Sequence, residues 1–168
     1  MKALVPGSFD PITLGHVNIA ERASKLFDKV YVAVMNNDSS KYDKTLKSKT
    51  YMFTPEERVE LVRLSISHIK NAEAIYFDGM LIDACDELEA YAVVRGVRNA
   101  NDLEYELIHA NWNKEHNPKI EPIFIPADPS FDGISSTSVR KIIEENTDLE
   151  ALKDKLHPDA IEFLKHRK

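Results

Sequence analysis

Five short runs of apolar, largely β-branched residues recur along the chain: Ala3 to Val5, Val30 to Met35, Ala74 to Phe77, Ala92 to Val94 and Ile120 to Ile125. Their length and composition predict strands. Between them the apolar positions return with helical period. From Val17 to Phe27, the residues Ile19, Ala20, Ala23, Leu26 and Phe27 fall on one face of a helix. A second helix has an explicit start signal, with Thr54 as N-cap, Pro55 at the first helical position and Glu57 placed to close a capping box. The pattern predicts that it runs to about Ile69. Further helices are expected at Leu81 to Leu88, Asn101 to Glu115 and Ser136 to Glu145, followed by a helical tail in which Pro158 restarts the chain after Leu156.

Strands that alternate with helices, and that are apolar almost throughout, predict an α/β fold: a Rossmann-like, parallel five-stranded sheet with helices on both faces and right-handed crossovers. In such sheets ligands bind beyond the carboxyl ends of the strands, so the loops that follow each strand are the places to look for chemistry.

The chain has 168 residues, enough for one domain with its own core, and residues 1–168 are read as a single domain. Its 43% hydrophobic and 30% charged residues are the balance of a chain that folds. The start MKALVPGSFDP lacks a secretory pattern, and no apolar stretch reaches membrane-spanning length, so the expected location is the cytoplasm, with no membrane partner. Cys85, the only cysteine, excludes an internal disulfide and is expected on a buried helix face. A formal net charge of −6 opposes nucleic acid as a partner but leaves room for a small anion held by local cations.

Three segments supply such cations and donors. After the first strand, Pro6-Gly7-Ser8-Phe9-Asp10-Pro11-Ile12-Thr13-Leu14-Gly15-His16 enters a helix, where free N–H groups and the His16 imidazole suit a phosphate. After the fifth strand, Ile134-Ser135-Ser136-Thr137-Ser138-Val139-Arg140 opens another helix with hydroxyls, amides and a guanidinium. Two phosphate sites on one sheet edge imply a nucleoside triphosphate. After the fourth strand, Arg95-Gly96-Val97-Arg98 precedes Asn101-Asp102-Leu103-Glu104-Tyr105-Glu106. Its two arginines suit a phosphomonoester and a polyphosphate, or else a salt-bridge cluster with the acidic residues that follow.

Thr13-x-Gly15-His16 resembles the (T/H)xGH signature of the nucleotidyltransferase superfamily, and the serine-rich segment resembles its ISSTxxR motif. The RGxR and DxEYE pattern is similar to that of the phosphopantetheine adenylyltransferases, and the resemblance spans essentially the whole chain. It implies transfer of AMP from ATP to 4'-phosphopantetheine by direct in-line attack, giving dephospho-coenzyme A and pyrophosphate, with Mg²⁺ held mainly by the ATP phosphates. It also implies a homohexamer, with dephospho-coenzyme A or coenzyme A as product or feedback ligand. By the same resemblance His16 stabilises the transition state, and Ser8 and Phe9 contact ATP and the substrate phosphate. Arg95 holds the phosphopantetheine phosphate and Leu81 lines its channel, with Trp112 and Asn113 beside the pantetheine arm. Gly96, Val97, Arg98 and Glu106 contact ATP, and Phe131, Asp132, Gly133, Ile134, Ser135, Ser136 and Thr137 cradle its adenine and phosphates.

Two departures from the family stand out. The loop after strand two, normally short with a substrate lysine in SKxxxF, is stretched here from Asn36 to Phe53. Lys49 has the family's distance to the following helix and Lys41 its distance from the strand; Lys49 is favoured because that helix anchors it. Phe131-Asp132-Gly133 stands where the family more often has an aromatic-Ser-Phe sequence. Nicotinamide mononucleotide adenylyltransferases and cytidylyltransferases share the first and last motifs but not the Arg95 segment. The absence of GxxxxGK[ST] and of GxGxxG excludes a P-loop kinase and a dehydrogenase.

Overall fold

A computed structural model describes residues 1–36, 50–145 and 149–167. All five expected strands form: β1 (Lys2–Gly7), β2 (Lys29–Met35), β3 (Ala72–Phe77), β4 (Ala92–Val97) and β5 (Glu121–Pro126). They make one parallel sheet in the order β3-β2-β1-β4-β5. The helices between and after them are α1 (Leu14–Ser24), α2 (Pro55–Ser65), α3 (Leu81–Leu88), α4 (Ala100–His116), α5 (Ser136–Glu144) and α6 (Pro158–His166).

The strands read as continuous apolar runs because both faces are covered. Ala3, Val5, Val30, Val32 and Val34 pack with Ile19, Ala20 and Ala23 of α1, Leu61 and Val62 of α2, and Ile161 and Leu164 of α6. On the opposite face Leu4, Ala33, Met35 and Val93 meet Ala84 and Cys85 of α3. Each fully buried Leu, Ile or Val contributes about 1.5–3 kcal/mol relative to leaving it in water. Cys85 is fully buried and its thiol is pushed up to about 12 by that burial, which makes it a packing residue.

The capping box of α2 is present, with Glu57 N–H donating to Thr54 Oγ1 at 3.2 Å and Thr54 N–H donating to Glu57 Oε2 at 2.8 Å. Two helices differ at their ends from the sequence pattern. The first helix starts earlier, at Leu14, and stops at Ser24, so Leu26 lies beyond it and is 65% exposed. The second stops at Ser65; Ile66 and Ile69 keep the apolar period and are buried, but in the turn that leads to β3.

The sheet opens where its strand order reverses. Strand β1 pairs with β2 as far as Gly7 opposite Val34, and β4 pairs with β5 as far as Val97 opposite Pro126. Between β1 and β4 the ladder holds only Ala3 opposite Ala92 and Leu4 opposite Val93. The carboxyl ends of these two central strands therefore part, which is the crevice that doubly wound sheets offer a ligand. Helix α4 covers it loosely: of its 17 residues only Ala110 is buried, while Tyr105, Leu107, Ile108 and Trp112 are exposed. Among the described residues no helix is long and apolar enough to cross a membrane.

Candidate active site

A cavity of about 730 Å³ occupies this crevice, lined by Ser8, Phe9, His16, Leu81, Arg95, Gly96, Glu106, Trp112, Asn113 and Ser136 among others. Residues far apart in sequence thus meet in one place. Val97, Arg98, Thr137 and the stretch from Phe131 to Ser135 do not line it; Gly15 nevertheless brings Phe131 close to the first loop, since a Cβ there would lie 3.6 Å from Phe131 Cβ. Lys49 and Lys41 lie outside the described residues.

His16 sits in the first turn of α1 with its orientation fixed from behind. Thr13 N–H donates to His16 Nδ1 at 3.0 Å, and Thr13 Oγ1 is 2.9 Å from the same nitrogen. An Nδ1 that accepts a backbone N–H carries no proton, so the neutral ring is protonated at Nε2, on its far edge. Burial, aided by the positive charges of Arg95 and Arg98, pushes its pKa down to about 4. At neutral pH the imidazole is an uncharged donor.

The loop before it is shaped by close approach. Phe9 has φ of 45° and is buried, its ring meeting His16 edge-on at 5.3 Å between centroids. A Cβ on Gly7 would come within 2.8 Å of that ring, so only glycine fits beneath it. A left-handed Phe costs about 1–3 kcal/mol unless its surroundings hold it. They do: the carbonyls of Pro6, Ser8, Asp10 and Pro11 accept from Arg95 at 2.5 Å, Arg58 at 2.9 Å, Arg140 at 2.7 Å and the Ser136 hydroxyl at 2.8 Å. The Asp10 carboxylate, 1% exposed at residue level, accepts from the backbone N–H groups of Met52 and Phe53, both at 3.0 Å, and stands 3.7 Å from Arg140.

Both arginines of the β4 segment have acidic partners. Arg95 forks onto Glu106 through Nε at 2.8 Å and a terminal nitrogen at 2.7 Å, and crosses the opening to Pro6. Those bonds use three of its five N–H groups. Arg98 binds Asp102 through Nε at 2.7 Å, holding that carboxyl below its ordinary range. The salt-bridge reading of this segment is therefore realised, with Arg95 and Glu106 facing the cavity and Arg98 and Asp102 outside its lining. Gly96 has a packing reason of its own, because a Cβ there would lie 2.9 Å from Ile19 Cγ1. The hydroxyls of the last motif are similarly engaged: Ser136 on Pro11, and Ser135 in a capping box with Ser138.

Sequence reasoning missed Arg58, Asn36 and Met80, and gave Asp10 no role. Asn36 and Met80 line the cavity; Arg58 and Asp10 hold the loop that forms its floor. Arg58 carried no signal, since one turn into an amphipathic helix a charged residue reads as solvated. Asp10 had one, a carboxylate inside an otherwise uncharged phosphate-type loop.

A model of the cytidylyltransferase-like family matches residues 4–142. The chain is 40% identical over 151 residues to the phosphopantetheine adenylyltransferase of Shouchella clausii, covering 90% of this chain and 89% of that one. It is 34% identical over 166 residues to the enzyme of the same name from Staphylococcus haemolyticus, covering 99% and 96%. Among solved structures, the nicotinic acid mononucleotide adenylyltransferase of Plasmodium falciparum complexed with NaAD superposes with a TM-score of 0.60 at 18% identity, covering 98% and 94%. That likeness is one of fold.

Proposed function

Because this chain belongs to the cytidylyltransferase-like family and, within it, to the phosphopantetheine adenylyltransferases, it is a nucleotidyltransferase, and we propose that the cavity between β1 and β4 is where ATP meets 4'-phosphopantetheine. The products are dephospho-coenzyme A and pyrophosphate. The observation that supports this use of the cavity is the neutral His16, which lines it and whose Nδ1 is committed to Thr13, leaving Nε2–H as the donor.

The 4'-phosphate attacks the α-phosphate in line, and no enzyme nucleophile takes part. Negative charge grows on the transferred phosphoryl oxygens, and the His16 Nε2–H donates to one of them without itself gaining a proton. Arg95 holds the acceptor phosphate through its remaining N–H groups while Glu106 fixes the guanidinium plane. Leu81, Trp112 and Asn113 line the path of the pantetheine arm, with Lys49 as the substrate-binding lysine. Ser8 and Phe9 contact both ATP and the acceptor phosphate, Gly96, Val97, Arg98 and Glu106 contact ATP, and the segment Phe131, Asp132, Gly133, Ile134, Ser135, Ser136 and Thr137 takes its adenine and phosphates. Positioning two anions against each other supplies most of the acceleration.

Mg²⁺ neutralises phosphate charge when bound. The nearby carboxylates of Asp10, Asp102 and Glu106 are taken up by backbone amides or arginines, and the described residues hold no acidic or histidine cluster of metal-site geometry, so the donor set fits an ion carried by the ATP phosphates. Residues 1–168 act as one domain in the cytoplasm. The exposed Leu107 of α4, which lies outside the cavity lining, supports a contact between copies in a homohexamer, and coenzyme A competes with the substrates as a feedback ligand.

Pyrophosphate release tests the assignment, with ATP, Mg²⁺ and 4'-phosphopantetheine run beside nicotinamide mononucleotide and beside CTP with glycerol 3-phosphate. Release with phosphopantetheine alone is expected. Release only with another acceptor would overturn the role given to the Arg95 segment, and silence in all three would point to a nucleotide-binding protein without turnover.

A further inference from the structure

Among the described residues Arg58 is the largest fully buried side chain, 1% exposed, and it does not line the cavity. Its guanidinium donates to the Ser8 carbonyl at 2.9 Å and to Asn36 Oδ1 at 2.6 Å, and lies over the Tyr51 ring with 4.2 Å to the centroid. Its Nε has no hydrogen-bond partner, and no carboxylate pairs with it among the described residues. Burying a cation on neutral acceptors alone is expensive, and an apolar side chain would fill the same space at less cost. What the guanidinium does that no apolar group can is join three separate pieces of chain.

Those pieces form one side of the site. Ser8 belongs to the loop after β1, Asn36 follows β2, and Tyr51 precedes α2. Asn36 extends the tie to β3 by donating to the Tyr76 hydroxyl at 3.0 Å. Ser8, Asn36 and Leu81 line the cavity from the ends of β1, β2 and β3, whereas Arg98 follows β4 outside its lining. Lysine would not substitute, because a point charge on a flexible stem cannot span two acceptors and stack on a ring at once.

We infer that Arg58 is a positioning residue for the acceptor side of the site: by fastening Ser8 to Asn36 it sets the width of the channel into which the phosphorylated acceptor fits, and it bears on ATP only through Ser8, which the two substrates share. This rests on the division of substrates proposed above. Loosening the joint changes how well the acceptor is held more than how the bound complex reacts.

The test is Arg58→Lys, with Asn36→Ala as a second variant that keeps the guanidinium and removes one of its acceptors. Steady-state constants are measured for each substrate with the other saturating, alongside hydrogen exchange of the segment from Pro6 to Thr13. In Arg58→Lys the KM for 4'-phosphopantetheine rises on the order of tenfold, while kcat and the KM for ATP stay within about twofold. Exchange in that segment speeds up about tenfold while α4 is unchanged. Asn36→Ala gives a smaller rise in the same constant and decides the matter if Arg58→Lys does not fold. A fall in kcat with both KM values unchanged marks a lost folded fraction and overturns the inference, as does an equal rise in both. If the wild-type chain does not turn over phosphopantetheine, the assigned acceptor fails, and the exchange comparison still decides whether Arg58 holds the loop.

Discussion

Thr13 donates its backbone N–H to His16 Nδ1 at 3.0 Å, so the residue that caps α1 also sets the tautomer of the imidazole one turn into it. One hydrogen bond thereby links the start of a helix to the protonation of the ring at the cavity edge: the neutral imidazole presents Nε2–H.

His16→Ala should fold normally, since the ring is half-buried at the cavity edge, and should lose on the order of 10²–10³ in kcat, the scale of one oxyanion-type donor. Pyrophosphate release under saturating substrates checks this. Turnover near the wild-type rate would remove His16 from the reaction.

The His16 pKa of about 4 carries a pH signature. The unfolded chain has the ordinary histidine value near 6.5, so between roughly 4 and 6.5 it binds more protons than the folded one. Stability is therefore complete above that window and is lost as pH falls through it. Nitrogen NMR of the ring should show a neutral Nε2–H tautomer at pH 6 and a midpoint near 4. A midpoint near 6.5 would sink the reading of His16 as a buried, uncharged donor.

Arg95→Ala is expected to weaken 4'-phosphopantetheine binding by about 10²-fold and ATP binding by less than about threefold, read by calorimetry, because a charge-assisted fork is worth several kcal/mol where it is desolvated. Equal losses for the two ligands would refute the separation of roles between Arg95 and Arg98.

Gly96→Ala places a methyl 2.9 Å from Ile19 Cγ1 and should cost about 1–3 kcal/mol in urea unfolding, the range for an overpacked core. Adding Ile19→Ala should recover part of that cost, giving a coupling energy of about 1 kcal/mol or more in the double-mutant cycle. Additive losses would mean that Gly96 serves something other than the approach of Ile19.

The order of strands and helices was legible because it rests on local signals. Apolar runs such as Val30 to Met35, the Thr54-Pro55-Glu57 start and the Pro158 restart act over a few residues, and each reappears as written. Leu26 and Ile69 show the limit of period alone, since an apolar residue can continue the spacing after its helix has ended and be left exposed or packed in a turn. The chemistry-bearing segments were legible for a related reason: Gly15-His16, Arg95-Gly96 and the serine run are contiguous, and strand ends collect them on one edge of the sheet. What the chain could not disclose is how charges pair across long separations. Arg95 closing on Pro6, Asp10 receiving the amides of Met52 and Phe53, and Arg58 buried between Ser8 and Asn36 all join residues that only the packed sheet brings together. A guanidinium reads the same in sequence whether it awaits a phosphate or holds a carbonyl; the tertiary structure decides, because burial removes water and leaves each charge to the acceptors that the fold supplies.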